Sequence, residues 1–245
     1  MRKVDLGDGI EILDEFCLYL KDIQSIVIAD LHLGYEGVMQ SEGVFFPRYQ
    51  KNVILNRLER ILHNLNPKKV IVNGDFKHEL SRNLSQEWRE VKEVLDFLMK
   101  RTEVVMLRGN HDNYLKTILS KYNMELHDVY EQGNVILSHG HKEIVREKSQ
   151  TLIMAHEHPS IRLRDEIGAG VRLPCFLHNE ETKILVMPAF SPLATGTDVV
   201  STPRDELISP ILKKHGCQNF RVYAISDSEL IDFKKVGELR KAWGV

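Results

Sequence analysis

Ser25-Ile-Val-Ile-Ala-Asp-Leu-His32 reads as a short aliphatic strand that stops on two ligating side chains. The run is β-branched, continuous and strand-length, as expected of a strand covered on both faces. Two later runs repeat the arrangement. Val70-Ile-Val72 leads into Gly74-Asp75, and Val104-Val-Met-Leu107 leads into Gly109-Asn110-His111-Asp112. Helical periodicity fills the intervals. Over residues 47–65, Val53, Ile54, Leu58, Ile61, Leu62 and Leu65 recur at helical spacing, Pro47 suits a first turn, and Asn66-Pro67 ends the run. From Ser85, a candidate cap, Trp88, Val91, Val94, Leu95 and Leu98 form one apolar face. The first half is therefore βαβαβ-like, an arrangement that gathers functional side chains at the carboxyl ends of parallel strands.

Outward from that core, Ile10-Glu-Ile-Leu13 and Phe16-Cys-Leu-Tyr-Leu20 predict a hairpin about Asp14-Glu15. A shorter helix is expected around 113–122. Strand-like pieces follow at 125–130, 134–138, 151–155, 175–178, 183–187 and 220–225, with no long helix between them, which predicts an antiparallel or mixed sheet. Residues 188–210 carry Pro188, Ser191-Pro192, Gly196 and Pro203 and read as a surface excursion or an active-site flap. A short strand (229–233) and a final helix close the chain. Two packed sheets with flanking helices satisfy both halves. Without an internal repeat or linker, residues 1–245 read as a single domain.

With 42% hydrophobic and 28% charged residues, the composition is that of an ordinary globular protein. The apolar runs are too short to span a bilayer, and Met1-Arg-Lys-Val precedes acidic and glycine residues with no apolar leader core. A cytoplasmic protein without membrane contact is the expectation. A net charge of −2 gives no global mark of a nucleic-acid binder. Cys17, Cys175 and Cys217 are far apart, form no C-x-x-C pair, and read as buried free thiols.

Function is carried by five short words: Asp30-Leu-His32, Gly74-Asp75, Gly109-Asn-His-Asp112, His139 after Val135-Ile-Leu137, and His156-Glu-His158 after Leu152-Ile-Met-Ala155. Alone, each reads as a turn, a cap or a satisfied polar residue. Together they supply carboxylates, imidazoles and an amide oxygen, donors that divalent transition metals take. Residues two apart on an extended backbone project to one side, so Asp30 and His32 can both reach one ion, and His156 and His158 can face one side. His111 points away from its neighbour Asn110 and stays free for acid–base work.

In this order the words resemble the calcineurin-like metallophosphoesterase superfamily, over residues 30–158. Asn73-Gly-Asp-Phe-Lys-His-Glu79, Leu137-Ser-His-Gly-His141 and Phe190-Ser-Pro-Leu-Ala-Thr-Gly-Thr-Asp198 are similar to archaeal phosphoesterases related to the nuclease subunit of SbcCD, and to bacterial phosphoesterases associated with DNA ligase and helicase. The resemblance implies a four-layer α/β/β/α sandwich of two mixed sheets with flanking helices. It implies one metal held by Asp30, His32, Asp75 and His158, a second held by Asp75, Asn110, His139 and His156, and His111 as the catalytic histidine. Two such ions acidify a water and clamp phosphoryl oxygens, while His111 protonates the leaving oxygen. Mixed N/O ligation suits Mn, Fe or Zn, and the resemblance favours manganese. It also implies a DNA-repair helicase or ligase as a partner. Ala155 stands where the family usually has glycine, and no large capping domain like that of SbcCD-type nucleases is expected.

Cations crowd the words: Lys77 and His78, Arg108, His141 with Lys142 and Arg146, and Arg162 with Arg164. They read either as a phosphate cradle or as solvated loop charge, tempered by Glu79, Glu143, Asp165 and Glu166. His78 and His141 also read as partners that orient ligands. The leading expectation is a two-metal phosphodiesterase acting on DNA or RNA. A hydrolase of small nucleotide-type phosphoesters is the alternative. A non-catalytic scaffold of the same fold would show eroded ligands, and here all are present.

Overall fold

The computed structural model describes residues 1–45, 47–81, 84–164, 170–227 and 229–244. Seven strands form the first sheet in chain order: β1 (Lys3–Asp5), β2 (Ile10–Leu13), β3 (Cys17–Leu20), β4 (Ser25–Ile28), β5 (Lys69–Asn73), β6 (Glu103–Leu107) and β7 (Leu126–His127). The hairpin edge is antiparallel through β4, and β4 to β7 are parallel. The second sheet holds β8 (Tyr130–Gln132), β9 (Val135–Leu137), β10 (Thr151–Met154), β11 (Pro159–Arg164), β12 (Gly170–Asn179), β13 (Ile184–Val186) and β14 (Thr197–Asp198), with β15 (Arg221–Ser226) and β16 (Glu229–Lys235) continuing from β12. Its central strands β9, β10 and β13 are parallel and the rest are largely antiparallel, so the sheet is mixed. The helices are α1 (Tyr35–Ser41), α2 (Gln50–Leu65), α3 (Ser85–Met99), α4 (Leu115–Leu119), α5 (Pro210–His215) and α6 (Val236–Trp243).

Strand alternation sorts the core into three layers. Ile26, Ile28, Val70 and Val72 face Ile54, Leu58, Val91 and Leu95 of α2 and α3. Their strand neighbours Val27, Ala29 and Ile71 face the opposite way, onto Leu137, Ile153, Phe176 and Leu185 of the second sheet. Ile136, Leu152, Met154, Ile184 and Val186 face Leu212, Val236 and Leu239 of α5 and α6. That is the expected α/β/β/α order. It explains why the central strands show no polar alternation: both faces are buried. Each fully buried aliphatic side chain contributes about 1.5–3 kcal/mol of transfer free energy.

Several boundaries differ from the sequence reading. Helix α2 begins at Gln50, three residues after Pro47, because its first amides are capped by a distant side chain: Glu36 Oε1 accepts from Tyr49 N (2.7 Å) and Gln50 N (2.8 Å). Ser85 is the first residue of α3 and makes no capping bond; Leu84 occupies the cap. The expected strand 125–130 is split, β7 closing the first sheet and β8 opening the second. Helix α1 and the strands β11 and β14 were not anticipated. Residues 188–210 are neither a free excursion nor a simple flap. Phe190 N and Ser191 N donate to Ala29 O (2.8 Å) and Asp30 O (3.1 Å), fastening the segment to the end of β4. All three cysteines are buried. Among the described residues no helix is long and apolar enough to cross a membrane.

Candidate active site

The words meet where β4, β5, β6, β9 and β10 end, between the sheets. The loops after β4 and β5 run side by side: Asp30 N donates to Gly74 O (3.1 Å), His32 N to Asp75 O (2.9 Å) and Leu33 N to Phe76 O (3.0 Å). The extended-backbone premise does not hold. Asp30 (φ 56°), His32 (φ 47°), Asp75 (φ 48°), His156 (φ 69°) and His158 (φ 46°) all lie in the left-handed region. Asp and His tolerate it better than most residues, yet so many in one site is stored strain, roughly 1 kcal/mol or more each. The side chains converge through these turns instead of through strand alternation.

Two glycines are required by close approach. A Cβ on Gly74 would sit 2.3 Å from His139 Nδ1, and one on Gly109 would sit 2.0 Å from Asp75 Oδ1. Gly74 also has a φ of 88°, which glycine alone adopts freely.

The side chains assemble about Asp75. Its Oδ2 lies 3.3 Å from His139 Nε2 and 3.8 Å from His32 Nε2. On one side, His158 Nε2 is 3.2 Å from Asp30 Oδ1 and 3.3 Å from His32 Nε2. On the other, His139 Nε2 is 3.3 Å from Asn110 Oδ1, and Asp75, His139 and His156 place one donor atom each within 4.8 Å of one another. His139 Nδ1 donates to Asn73 O (2.9 Å), which leaves Nε2 for the centre. Asp30 Oδ1 is buried without a hydrogen-bond partner. A buried orphan carboxylate oxygen ringed by imidazoles, beside a second carboxylate, fits a pair of divalent cations.

The electrostatics agree. Burial opposes charge on Asp75, but His139, His32 and His111 outweigh it and hold the carboxyl far below its usual range. His139 is pushed up to about 9: burial opposes this, and Asp75 and Asp30 override it. Asp30 raises His158 against burial in the same way. His32 falls well below its usual value through burial and the charge of His158. Burial, then His139, takes His156 down to about 4. Positive charge is in demand between Asp30 and Asp75, and protons meet that demand when cations do not.

His111 lies beside the centre: its Nε2 is 4.0 Å from Asp75 Oδ2, and with His32 and His78 it places one donor atom each within 4.8 Å of one another. Its amide donates to Asp75 Oδ1 (2.8 Å), its Nδ1 meets the His78 carbonyl, and its ring lines the cleft. That cleft, about 300 Å³, is walled by His32, His78, His111 and His158 on one side and by Leu193, Thr195 and Thr197 on the other. The second wall comes from residues 188–210, which the sequence alone leaves open between a surface excursion and an active-site flap.

The flanking cations divide. Lys77 is fully buried, donates to the Glu79 carbonyl and lies 3.8 Å from Glu87 Oε2, so it faces away from any phosphate. Arg108 turns to Asp128 (3.2 Å) at the sheet edge. His78 Nδ1 lies 3.3 Å from His32 Nδ1, an orienting contact. His141 packs on His139 and is lowered to about 4 by burial and that neighbour. The side chain of Arg164, with Asp165 and Glu166, lies outside the described residues.

Sequence reasoning missed two carboxylates that sit inside the words themselves. Asp112 and Glu157 are both fully buried. Asp112 Oδ1 accepts from Phe76 N (3.1 Å) and Lys77 N (3.4 Å), and Oδ2 from Gly109 N (2.8 Å). Glu157 accepts from Ile208 N (2.9 Å) and Ser209 N (2.8 Å). An acidic residue directly beside predicted ligands was the available signal.

A model of the calcineurin-like phosphoesterase family matches residues 24–222. Among solved structures, the nuclease MPE of Pseudomonas putida is similar at 20% identity, covering 95% of this chain and 99% of that one, with a TM-score of 0.67. The phosphoesterase Yfce of E. coli is 12% identical, covering 86% of this chain and 98% of that one, with a TM-score of 0.40. At 20% identity the likeness to the nuclease is one of fold. No curated protein matches the chain.

Proposed function

The chain belongs to the calcineurin-like phosphoesterase family, its family match running through every ligand word, and from that premise we propose that it hydrolyses phosphodiester bonds in nucleic acid. As a member of that family it is a metal-dependent phosphoester hydrolase. The observation that carries the reading is Asp75 Oδ2, placed between two donor groups. In this reading Asp30, His32, Asp75 and His158 hold one ion, and Asp75, Asn110, His139 and His156 the other, with manganese as the favoured metal. Bound cations would supply an acidified water and charge neutralisation at the phosphoryl oxygens.

The protein's own part is positioning and proton transfer. Contact of His111 Nδ1 with the His78 carbonyl fixes the tautomer that carries Nδ1–H. A second proton on Nε2 then makes His111 a general acid for the leaving oxygen. His139 cannot take that role, since its Nδ1 is committed to Asn73 O and its Nε2 to the centre. The inter-sheet core supports treating residues 1–245 as one catalytic domain.

The nuclease named among the structural neighbours supports a polynucleotide substrate as fold analogy. The modest cleft bounded by Leu193, Thr195 and Thr197 favours the second reading, a small nucleotide-type phosphoester. Manganese-dependent hydrolysis of bis-p-nitrophenyl phosphate against p-nitrophenyl phosphate, with His111→Ala and Asp75→Ala alongside, tests the chemistry. Activity on the diester, lost in both variants, is expected; activity on the monoester alone would defeat the diesterase reading. Labelled single- and double-stranded oligonucleotides against mononucleotide esters then separate the two substrate classes.

A further inference from the structure

Glu87 lies on α3, outside every ligand word, yet its carboxylate is fully buried and aimed at the loop that carries His78. Its Oε1 accepts from His78 N (3.0 Å) and Glu79 N (2.7 Å). Its Oε2 has no hydrogen-bond partner and faces Lys77 Nζ at 3.8 Å; Lys77 is itself fully buried and donates to the Glu79 carbonyl. The helix is pressed onto the loop after His32 as well, since a Cβ on Gly34 would lie 2.6 Å from Glu87 Cβ.

What this clamp holds is His78, and His78 touches the chemistry twice. Its carbonyl meets His111 Nδ1, and its Nδ1 lies 3.3 Å from His32 Nδ1. The His78 and His111 rings stack at 5.2 Å with an 18° tilt. Two carboxylates hold the loop amides: Asp112 takes Phe76 and Lys77, while Glu87 takes Glu79 and shares His78 N with the Leu33 carbonyl (3.0 Å). A buried ion pair is a weak device for stability alone, because desolvation offsets its attraction. Its placement here, on backbone amides one residue from the carbonyl that orients His111, has a different use.

We propose that the Glu87–Lys77 pair is a positioning device for proton transfer: Glu87, braced by Lys77, fixes the His78 carbonyl and so aims His111 at the leaving oxygen. The proposal rests on the general-acid reading of His111. Loss of aim weakens protonation of the departing oxygen, so poor leaving groups suffer most, while substrate binding stays in place.

The test compares diphenyl phosphate, a poor leaving group, with bis-p-nitrophenyl phosphate, a good one, on the manganese-loaded protein. Glu87→Ala should lose about 10-fold in kcat on the phenyl ester, as loss of outer partners does, and much less on the nitrophenyl ester, with KM unchanged. Glu87→Gln keeps an acceptor for both amides and should recover most of the loss. Should Glu87→Ala fold poorly because Lys77 is left unpaired, the pair Lys77→Met with Glu87→Ala removes that charge and keeps the question open to measurement. His111→Ala is the reference. If it shows no leaving-group bias, the general-acid reading itself fails. If it shows the bias and the Glu87 variants lower both esters equally, Glu87 is merely structural and the proposal is overturned.

Discussion

In the first sheet the ligand loops are tied to one another, whereas in the second they are tied to a segment some fifty residues away. Asp112 spans the loops after β5 and β6, binding the amides of Phe76, Lys77 and Gly109. Glu157 reaches instead to Ile208 and Ser209, and Ser209 Oγ returns to Gly140 O (2.9 Å) beside His139. Thr197 N closes the circuit on His158 O (3.0 Å). Both halves use a buried carboxylate from inside the ligand word to satisfy backbone amides, a charge-assisted bond stronger than a neutral one. The partners differ because the topology differs. Parallel strands β4, β5 and β6 bring three loops to one edge, so loops brace loops. Only β9 and β10 deliver ligands from the second sheet, so their bracing has to come from residues 188–210. That segment is also the cleft wall. It touches the first-sheet loop through Ser191 N on Asp30 O (3.1 Å), but only in the second half does a carboxylate inside the ligand word, Glu157, bind it.

Asp75 is where the two regions meet, and its loss should have the largest effect. Asp75→Asn keeps the shape and removes the shared charge. Activity should fall on the order of 10³-fold, as for loss of a principal electrostatic stabiliser, and metal analysis should find both donor groups depleted together. Retention of one fully loaded group would break the comparison, because it would mean the halves hold their ions independently.

Asp112→Ala comes next. It leaves three buried amides without an acceptor, at a cost of about 1–3 kcal/mol each at most, and it loosens the loops that carry Asp75 and His111. A lower Tm and a kcat drop of about 10–100-fold are expected, with KM little changed. Burial and the neighbouring charge of Asp75 push the Asp112 carboxyl up to about 6 despite its amide partners. The carboxylate therefore exacts a desolvation cost that the loop bracing outweighs.

How far the sequence reading reached follows the same division. The runs at 25–29, 70–72 and 104–107, and the helices between them, were legible because their apolar periodicities are unbroken. Their candidate ligands were proposed from word order. The reason offered for Asp30 and His32 was nonetheless wrong, since a positive φ, not an extended backbone, brings them together. Helix α1 was illegible: it is short, follows Gly34, and its buried residue is Glu36, with no apolar stripe. The start of α2 was misplaced because its cap is that same Glu36, a tertiary partner. In the second half, β11 and the start of β12 carry exposed charges such as Arg162 and Arg172 and give no buried-strand pattern. For 193–197 the sequence left a surface excursion and an active-site flap as alternatives; the choice depends on packing against His158, where a Cβ on Gly196 would come within 2.0 Å of the His158 carbonyl oxygen.

If the second half really couples ligand placement to substrate shape, Glu157→Ala should differ from Asp112→Ala in kind. It frees Ile208 and Ser209 and slackens the wall, so KM for a nucleotide substrate should rise several-fold while kcat falls less, with about 1–3 kcal/mol lost in stability. Steady-state kinetics of both variants side by side make the comparison. Equal effects on kcat in the two would erase the distinction drawn between the halves.

The smallest expected effect tests how finely the second half is set. Ala155 is fully buried in the inter-sheet core, accepts from Glu157 N (2.8 Å) and donates to His139 O (3.0 Å). Glycine is the usual family residue there, so Ala155→Gly should leave the ligands in place. The methyl group fills space between the sheets and restricts the unfolded chain, and its removal should cost about 1 kcal/mol, visible as a small fall in Tm with activity within about twofold. A larger loss of activity would mean that the turn into His156, at φ 69°, relies on the alanine methyl to hold its strain. The second half would then be braced by core packing as well as by Glu157, and the contrast with the loop-to-loop bracing of the first half would widen.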